Sequence, residues 1–520
     1  MRPILIGVDA GTTNIKTVAF DRDGREIHQD ARSNEYHHPR TGWVEQDMAA
    51  TWQRTADSIR AVVNALEDPD AVAGVGVTGQ GDGCWLIDDA GSPVRDAILW
   101  NDGRAASYVE EWEESGIGPR ITDECGSDLF PGASLPILQW LTDNEPEVID
   151  RAATVFHCKD WLKYKLTGVR TMDRSDASLP FLDIETGEYS DLVPDLVGIP
   201  GLREMRPPLR DATEVVGTVT ESASEATGLP AGTPVVSGVI DVIANAIGTG
   251  AVRNGDSSSV VGTTSVNQTL LADPPDRTER TGFLLAVEDD FYVHVMAPMA
   301  GTPNLDWALE ELVPEDEFET VVPRLADLPV GSEGVLFHPY LSASGERSPF
   351  QKATARAGFV GLAPDHTRYH LLRAVYEGVA LAMRDCYEHI AGSSDRVTMS
   401  GGGARSDFWC QMFADCLGTP VAVPRGEEFG AKGVAVLAGV GAGVYDDLES
   451  AADHTTSIAR NYDPDPERVP QYDEWYRFFR RTYETMFEVW DDRADTLDRL
   501  AATREPEWLA PRHRHRRSDS

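Results

Sequence analysis

The alternation of hydrophobic and polar residues in the first half of the chain predicts a mixed α/β layout. An apolar run at 3–8 ends at Asp9 and an alternating run follows at 17–21, which predicts a β-hairpin that continues into a third strand. A helical pattern begins after Asp47, a predicted N-cap, and ends near Leu66. Further elements are predicted as strands at 72–78, 84–88 and 94–99, the last two forming a hairpin, and as helices at 104–114, 135–144 and 159–166.

The pattern starts again near Pro234. The elements predicted there are strands at 234–238, 257–262, 265–271 and 396–400, and helices at 240–248, 367–390, 407–417 and 430–441. The segment Val261-Gly-Thr-Thr-Ser-Val repeats Ala10-Gly-Thr-Thr-Asn-Ile, and each lies at a predicted hairpin tip. We therefore infer a duplicated domain, with domains at 1–252 and 253–490, followed by a basic tail at 505–520 that is predicted to be disordered.

Composition adds a large negative charge to this picture. The 520 residues include 46 Lys and Arg against 86 Asp and Glu, which gives a formal net charge of −40. Such a surface repels phosphate backbones and anionic lipid, so nucleic-acid and membrane partners are disfavoured. Because 41% of the residues are hydrophobic, the chain can still bury a large core. We interpret the acidic excess as a halophilic surface, because concentrated salt screens the repulsion between its negative charges. The alternative is an ordinary acidic protein.

The cysteines and the N-terminus favour a cytoplasmic protein. Six cysteines lie far apart, without CxxC spacing or a Cys/His cluster, so we expect reduced, buried thiols rather than disulfides or a structural metal. The N-terminus lacks a signal-peptide pattern. The longest apolar stretch, 433–445, is Gly-rich and too short to span a bilayer. The sequence therefore predicts a soluble protein.

The segment Asp9-Ala-Gly-Thr-Thr is the most informative chemical motif. A carboxylate at a strand end can hold hydrated Mg²⁺, and the Gly-Thr-Thr turn offers N–H groups and hydroxyls to phosphate oxygens. Lys16 follows at a spacing that could return it to the phosphates. A plain hairpin capped by Asp9 would use the same residues. The second loop, Gly262-Thr-Thr, favours the phosphate interpretation because two facing hairpins can hold a polyphosphate from both sides.

Other nucleotide motifs are absent or misplaced. The chain has no G-x-x-x-x-G-K-[ST] segment. Its G-x-G-x-x-G at 74–79 lies inside a strand-like run, whereas a dinucleotide site needs these glycines between a strand and a helix. At Ser400-Gly-Gly-Gly a strand ends and a helix begins near Asp407. One interpretation is that the glycines let a ring or ribose approach the backbone closely, with the Gly-rich segment 428–433 forming the other wall of the same pocket. The alternative is a tight strand-to-helix connection that needs glycine because its φ is positive.

In their order and spacing these segments resemble the FGGY carbohydrate kinase family over about residues 3–490. The resemblance rests on the segments Asp9–Thr13, Gly42–Asp47, Ile98–Arg104, Asp160–Gly168, Asp173–Ser178, Gly238–Asp241, Gly262–Ser265, Pro339–Pro349 and Ser400–Gly403. It implies an α/β protein of two duplicated ribonuclease H/actin-like ATPase domains with an interdomain cleft.

The resemblance also implies the activity, which is ATP-dependent phosphorylation of a hydroxyl on a small sugar or polyol of the ketopentose or tetritol class. Asp241 is implied as the catalytic base, although its position at a strand–helix junction also suits a helix N-cap. Asp9 is implied to hold Mg²⁺ through water. The residues implied to bind the nucleotide are Asp9, Gly11, Thr12, Thr13, Lys16, Gly262, Thr263, Thr264, Gly301, Gly402, Gly403 and Ser406.

Four residues are implied to bind the sugar together with Asp241: Gln80, Asp82, Trp100 and Asp102. Asp82 and Asp241 could recognise a pair of hydroxyls. Trp100 is a candidate ring platform or a core aromatic, and Asp102 is a candidate substrate contact or a partner of Arg104.

The segment Gly81-Asp82 narrows the substrate class. Glycerol kinases usually have an Arg-Glu pair there and D-xylulose kinases a Met-His pair, so the chain is more similar to erythritol or L-xylulose kinases. Glycerol and D-xylulose kinases stay as alternatives. A non-catalytic sugar-binding regulator and an actin-like ATPase are the alternatives from other classes. Similar kinases are commonly homodimers or homotetramers.

Overall fold

Two large β-sheets, one in each half of the chain, form the framework of the protein. The computed structural model describes residues 3–276, 281–314, 318–392 and 394–502. The elements of the first half are β1 Ile4–Ala10, β2 Asn14–Phe20, β3 Glu26–Ser33, β4 Glu45–Gln46, α1 Met48–Ala65, β5 Val72–Gly79, β6 Trp85–Ile87, β7 Ala97–Ile98, α2 Ala106–Ser115, α3 Ile117–Cys125, α4 Ser134–Asn144, α5 Pro146–Arg151, β8 Thr154–Phe156, α6 Cys158–Thr167, β9 Met172–Asp173, α7 Arg174–Ala177, β10 Leu182–Asp183, β11 Glu188–Tyr189, α8 Leu192–Val197, α9 Leu202–Met205, β12 Leu209–Arg210, β13 Val215–Thr218, α10 Glu221–Thr227, β14 Pro234–Val236 and α11 Asp241–Thr249.

The second half continues with a comparable alternation. Its elements are β15 Ser257–Val261, β16 Ser265–Leu271, β17 Phe283–Glu288, β18 Phe291–Met296, α12 Pro303–Leu312, α13 Phe318–Ala326, β19 Leu336–His338, β20 Gly358–Val360, α14 Arg368–His389, β21 Val397–Ser400, α15 Asp407–Leu417, β22 Val421–Pro424, α16 Phe429–Gly441, α17 Leu448–Thr455, β23 Ile458–Tyr462 and α18 Val469–Ala502.

The two sheets share one strand arrangement. The first has the order β13-β14-β5-β1-β2-β3 and the second β17-β18-β16-β15-β21-β22-β23. In the first, β1 pairs antiparallel with β2 and parallel with β5; in the second, β15 pairs antiparallel with β16 and parallel with β21. Each Gly-Thr-Thr segment connects the two antiparallel strands of such a unit, which confirms the predicted duplication of the fold. The boundary at 252/253 stays a prediction.

Two helices pack between the halves and depend on glycine for their close approach. Helix α16 belongs to the second half but lies against β1 and β5 of the first sheet and against α11. A Cβ atom on Gly76 would lie 2.0 Å from the carbonyl oxygen of Val434, and one on Gly433 would lie 1.9 Å from that of Ala244. The glycines at 74–79 therefore lie inside β5, where they allow close backbone packing. This agrees with the sequence analysis, which disfavoured a dinucleotide site at these glycines.

Most predicted elements are confirmed, one predicted hairpin is not, and the structure adds elements that were not predicted. Strands β6 and β7 pair with β8 and β4, so the hairpin predicted at 84–99 is reduced to single bridges, Cys84–Ile98 and Ile87–Pro93. Pro93 has no N–H group with which to extend that ladder. Helix α18 was not predicted, although its buried aromatics at 472, 476, 479 and 483 follow a helical spacing.

The remaining expectations concern the cysteines, the tail and membrane insertion. All six cysteines are free and buried, as predicted. The tail at 505–520 lies outside the described residues. None of the helices in the described ranges combines the length and hydrophobicity needed to cross a bilayer.

Candidate active site

A cavity of about 220 Å³ is lined by residues from both halves of the chain. It brings together six of the predicted site residues: Thr12, Gln80, Asp82, Trp100, Asp241 and Thr264. They come from the tips of β1 and β5, the segment after β7, the start of α11 and the turn after β15. Because the carboxyl ends of the parallel strands β1 and β5 meet at one edge of the sheet, their loops converge there.

Four polar side chains form a hydrogen-bonded chain along one wall of the cavity. Trp100 Nε1 donates to Thr12 Oγ1 at 3.0 Å, and Thr12 Oγ1 donates to Gln80 Oε1 at 2.9 Å. Gln80 Nε2 then donates to Gln46 Oε1 at 2.8 Å. This chain fixes the orientation of the Gln80 amide and places Thr12, which was predicted to bind phosphate, between Trp100 and Gln80. Gln46 was missed as a site residue, although its motif, Gly42–Asp47, had been singled out.

Asp82 is a strained residue with an unsatisfied carboxylate. Its φ of 55° lies in the left-handed region, which is uncommon for a residue other than glycine. Its Oδ1 atom is buried and has no hydrogen-bond partner among the described residues. Burial raises the pKa of Asp82 to about 7, although the charge of His157 opposes the shift. A carboxyl held in this way beside a cavity is suited to accept a hydrogen bond from a ligand hydroxyl.

Asp241 is the first residue of α11 and lines the same cavity. Its carboxylate accepts a hydrogen bond from the adjacent backbone N–H of Val242 at 2.7 Å, and does not cap the helix as the alternative interpretation expected. Burial, and after it the negative charge of Asp9, raises the pKa of Asp241 to about 7. An acid with this pKa can exchange a proton near neutral pH.

Asp9 lies at the end of β1, paired across the hairpin with Lys16. Burial raises the pKa of Asp9 to about 6 against the opposing charge of Lys16. No described residue donates a hydrogen bond to its carboxylate. The Lys16 ammonium donates to both carboxylate oxygens of Glu428, at 2.8 and 3.0 Å. Lys16 is therefore engaged by the second half of the chain, and its predicted return toward phosphate has no support from this geometry.

The two Gly-Thr-Thr turns expose equivalent residues. Thr13 and Thr263 are both exposed at their hairpin tips. Asn34 holds the first turn, since its backbone N–H donates to Thr13 O at 2.7 Å and its side chain donates to Gly11 O at 3.0 Å. A Cβ atom on Gly301 would lie 2.5 Å from Gly262 O, so this glycine packs directly against the second turn.

The three glycines after β21 differ in their surroundings, and both interpretations of this junction keep support. Gly401 has a φ of 84°, and a Cβ atom on Gly402 would meet nothing within 4 Å. Gly403 instead packs against Val261, where a Cβ atom would lie 2.6 Å from Cγ1. Ser406 caps α15 by accepting a hydrogen bond from Trp409 N at 3.3 Å. Among these three glycines, Gly402 is thus the one whose backbone a ligand can approach.

Asp102 does not line the cavity. Its carboxylate accepts hydrogen bonds from the backbone N–H of Val44 at 2.6 Å and from the backbone and guanidinium of Arg104 at 2.8–2.9 Å. Only 2% of Asp102 is exposed. Of the two roles considered for Asp102, the structure shows the pairing with Arg104.

A buried charge network beneath the cavity was not predicted. Lys159 Nζ contacts the carboxylates of Asp173 and Asp176, and His157 Nδ1 lies 3.1 Å from Asp176 Oδ1. Burial alone would lower the pKa of His157, but the charge and hydrogen bond of Asp176, together with the charges of Asp160 and Asp82, outweigh it and raise the pKa. Buried charges are costly unless they are paired, so a Lys or His among acidic residues on a predicted buried helix was the available signal.

This network supports both acidic residues of the cavity. Ser175 Oγ donates to Asp173 and accepts a hydrogen bond at 3.0 Å from Ile240 N, directly before Asp241. On the other side, Ser134 Oγ lies 2.8 Å from His157 Nε2 and donates to Gly83 O, directly after Asp82. The network therefore fixes the backbone on which the two carboxylates are mounted.

Comparison with known proteins agrees with this arrangement. The sequence matches the FGGY family of carbohydrate kinases, N-terminal domain, over residues 4–248 and C-terminal domain over residues 257–442. Erythritol kinase from Brucella abortus (strain 2308) is 35% identical over 510 residues, which cover 94% of this chain and 98% of that protein. L-xylulose/3-keto-L-gulonate kinase from Escherichia coli (strain K12) is 31% identical over 485 residues, covering 91% and 95%.

A solved structure supports the same assignment of the fold. The xylulose kinase from Rhodospirillum rubrum superposes with a TM-score of 0.86 at 29% identity, covering 94% of this chain and all of that one. The duplicated sheets are those of the actin-like ATPase fold, and the cavity between them contains an acid suited to proton transfer. From its fold, its cavity and the match of both domains, the chain belongs to the FGGY family of carbohydrate kinases.

Proposed function

We propose that the enzyme phosphorylates a hydroxyl of a small sugar or polyol, of the ketopentose or tetritol class, with MgATP. The observation that carries this proposal is the cavity in which Asp82 and Asp241 lie together, each with a pKa raised to about 7. Paired acids and an amide can accept and donate the hydrogen bonds of adjacent hydroxyls. The similarity to erythritol kinase and to L-xylulose/3-keto-L-gulonate kinase supports this substrate class.

Asp241 is proposed as the general base. Its carboxylate would take the proton from the attacking hydroxyl, and its pKa near 7 suits that transfer at neutral pH. The hydrogen bond from Val242 N and the anchoring of Ile240 by Ser175 hold the carboxylate in place. Base catalysis of this kind contributes ~10²–10⁴-fold, while positioning and charge neutralisation account for most of phosphoryl transfer.

The nucleotide is proposed to lie across the two Gly-Thr-Thr turns and the backbone at Gly402. Backbone N–H groups and hydroxyls of the exposed turns would bind phosphate oxygens, and the open Gly402 position admits the nucleoside. Bound MgATP would supply the phosphoryl group, with Mg²⁺ neutralising charge on its oxygens. The half-buried Asp9 carboxylate, to which no described residue donates a hydrogen bond, fits a water-mediated Mg²⁺ contact.

Sugar binding is proposed to use Gln80, Asp82 and Trp100. Gln80 is oriented by Thr12 and Gln46, and Asp82 has an oxygen free for a hydroxyl. Asp102 is left out of this set because Arg104 and Val44 occupy its carboxylate. The oligomeric state and a cytoplasmic location stay predictions of the sequence.

The proposal is tested by measuring ADP release with MgATP across glycerol, the tetritols, both xylulose enantiomers and hexitols. We expect strong stimulation by a tetritol such as erythritol or by L-xylulose, and weaker stimulation by glycerol and D-xylulose. Vigorous ATP hydrolysis that no sugar or polyol stimulates would instead identify an actin-like ATPase. Sugar binding without any ADP release would identify a non-catalytic regulator.

A further inference from the structure

The loop Gly345–Pro349 carries a charged side chain that the proposed chemistry does not use. Arg347 comes from the second half of the chain and lines the same cavity as Asp82 and Asp241 from the first half. Among the described residues that line this cavity, no other carries a positive charge. A single guanidinium beside two carboxylates calls for an explanation in a chain of net charge −40.

The loop holds the Arg347 guanidinium in a defined position. Arg347 Nε donates to the carbonyl oxygen of Ala297 at 2.6 Å. The neighbouring Glu346 is only 3% exposed, and its carboxylate accepts backbone hydrogen bonds from Met299 and Arg347, each at 2.8 Å, and from Ser348 at 3.3 Å. This clamp ties the loop to the segment after β18. Fixing the side chain in advance reduces the entropy that binding would otherwise cost.

The terminal nitrogens of Arg347 stay available. No carboxylate oxygen of the described residues lies within 4.0 Å of the guanidinium, and no described residue accepts a hydrogen bond from Nη1 or Nη2. An arginine tied by Nε alone keeps its other donors for a ligand. Since Arg347 lines the cavity, that ligand is the one that the cavity binds.

Asp82 lines the same cavity and can accept hydrogen bonds, whereas Arg347 can only donate them. The two side chains belong to different halves of the chain and form no direct ion pair, and Asp82 Oδ1 lacks a partner among the described residues. Burial raises the pKa of Asp82, and the charge of Arg347 is among those that oppose the rise. An acceptor facing a donor matches hydroxyl groups, because each hydroxyl donates one hydrogen bond and accepts others.

We propose that Arg347 is a specificity-determining residue that donates from Nη1 or Nη2 to a hydroxyl or carbonyl oxygen of the bound polyol or ketose. Asp82 accepts from a neighbouring hydroxyl, so the substrate is bound by both halves of the chain at once. The inference rests on the proposed function and deepens it. The guanidinium donates and Asp82 accepts, so the site is matched to adjacent oxygen atoms of a polyol or ketose.

The test compares Arg347→Met, which keeps length and removes the donors, with the wild-type enzyme on its best polyol. The loss of a charge-assisted hydrogen bond should raise KM for that polyol about 10- to 100-fold. KM for ATP should change less than KM for the polyol, because the proposed contact is to the polyol. Arg347→Lys keeps the positive charge but lacks the planar guanidinium, so its KM should lie between those of Arg347→Met and the wild type. Arg477→Met, whose side chain is exposed on α18, is the matched control and should behave like the wild type.

Substrate analogues identify the contact itself. The KM of each protein is compared for the full polyol and for polyols that lack one hydroxyl. Removing the hydroxyl bound by Arg347 should raise KM strongly in the wild type but only slightly in Arg347→Met, which already lacks that contact. Equal KM values for wild type and Arg347→Met would overturn the inference, provided that both proteins melt at similar temperatures. The inference would also be overturned if removing each hydroxyl raised KM by the same factor in both proteins. Failure of the wild type to phosphorylate any polyol would overturn the proposed function instead.

Discussion

At the scale of single residues, the cavity depends on acids kept in an unfavourable environment. Asp82 and Asp241 each have a pKa raised to about 7, chiefly because burial disfavours the charged carboxylate. Asp82 adds a left-handed backbone conformation. Features of this kind reduce stability, and they cluster where a protein binds or transforms a ligand. The burial that lowers the stability of the folded protein is therefore also what raises the pKa of the two acids.

Asp241→Asn is expected to remove sugar phosphorylation while the protein still folds. Wild-type kcat/KM should rise with pH and level off above about 7, because the base must be ionised to accept the proton. The variant should lose ~10²–10⁴-fold in rate and show no such rise. Asp82→Asn is the comparison, since it should raise KM for the sugar yet keep the pH dependence due to Asp241. Turnover near the wild-type rate in Asp241→Asn would remove Asp241 from the mechanism.

The same substitution should stabilise the protein at neutral pH. Since the folded-state pKa of Asp241 lies above its ordinary value of 3.8, the unfolded chain releases this proton first as pH rises. Stability due to the group is thus full below about pH 4 and is lost toward pH 7. Thermal unfolding of Asp241→Asn should match wild type at pH 4 and show a Tm higher by about 2–5 °C at pH 8. A lower Tm at pH 8 would contradict the raised pKa.

At the scale of elements, the cavity is built from the ends of strands and helices that other elements fix. The charge network reaches from α6 and α7 to Gly83 on one side and to Ile240, at the start of α11, on the other. Strand periodicity located β1, β5 and β15, because each is a short buried run. The network escaped prediction because its members, at 134, 157–159 and 173–176, come from three segments whose proximity no local pattern records.

Ser134→Ala tests the support of the loop that carries Asp82. The change removes the hydroxyl that joins His157 to Gly83 O, a hydrogen bond of about 1 kcal/mol, so KM for the sugar should rise about fivefold. KM for ATP should stay constant, because the nucleotide turns are held by other contacts. Ser224→Ala also removes a hydroxyl-to-carbonyl hydrogen bond, to Leu229 O at 2.6 Å in α10, and should leave both constants unchanged. An equal KM in Ser134→Ala and wild type would show that the loop holds its shape without this bond.

At the scale of the whole molecule, the proposed function requires a chain of net charge −40 to bind a polyanion, MgATP. The chain has few lysines in its nucleotide motifs, and Lys16 is paired with Glu428. Lys432 is buried, which lowers its pKa to about 8. Under the proposed function, we therefore expect nucleotide binding to rely mainly on backbone N–H groups, Thr hydroxyls and Mg²⁺. The exterior, in contrast, repels itself unless salt screens it.

Salt is therefore expected to stabilise the protein. Raising KCl from ~0.1 M, where the Debye length is ~10 Å, to ~2 M should increase Tm and kcat/KM at pH 7. Near pH 4.5, the isoelectric point of the sequence, the salt effect should shrink because the net charge is small. Thermal unfolding at both pH values measures this difference. Full stability and activity at ~0.1 M KCl would show that the acidic surface is not an adaptation to salt.

The sequence by itself determined the strands, most helices, the duplicated Gly-Thr-Thr turns and the identity of Asp9, Gln80, Asp82 and Asp241 as site candidates. The strands, helices, turns and Asp9 follow from local periodicity and short motifs, which depend on neighbours along the chain, while Gln80, Asp82 and Asp241 were implied by the family resemblance. Only the tertiary structure decided that Asp102 and Lys16 are engaged by Arg104 and Glu428 and that Arg347 and Asp82 line one cavity. Those outcomes depend on which charges meet across the two halves, and charge pairing acts through space between residues up to 412 positions apart.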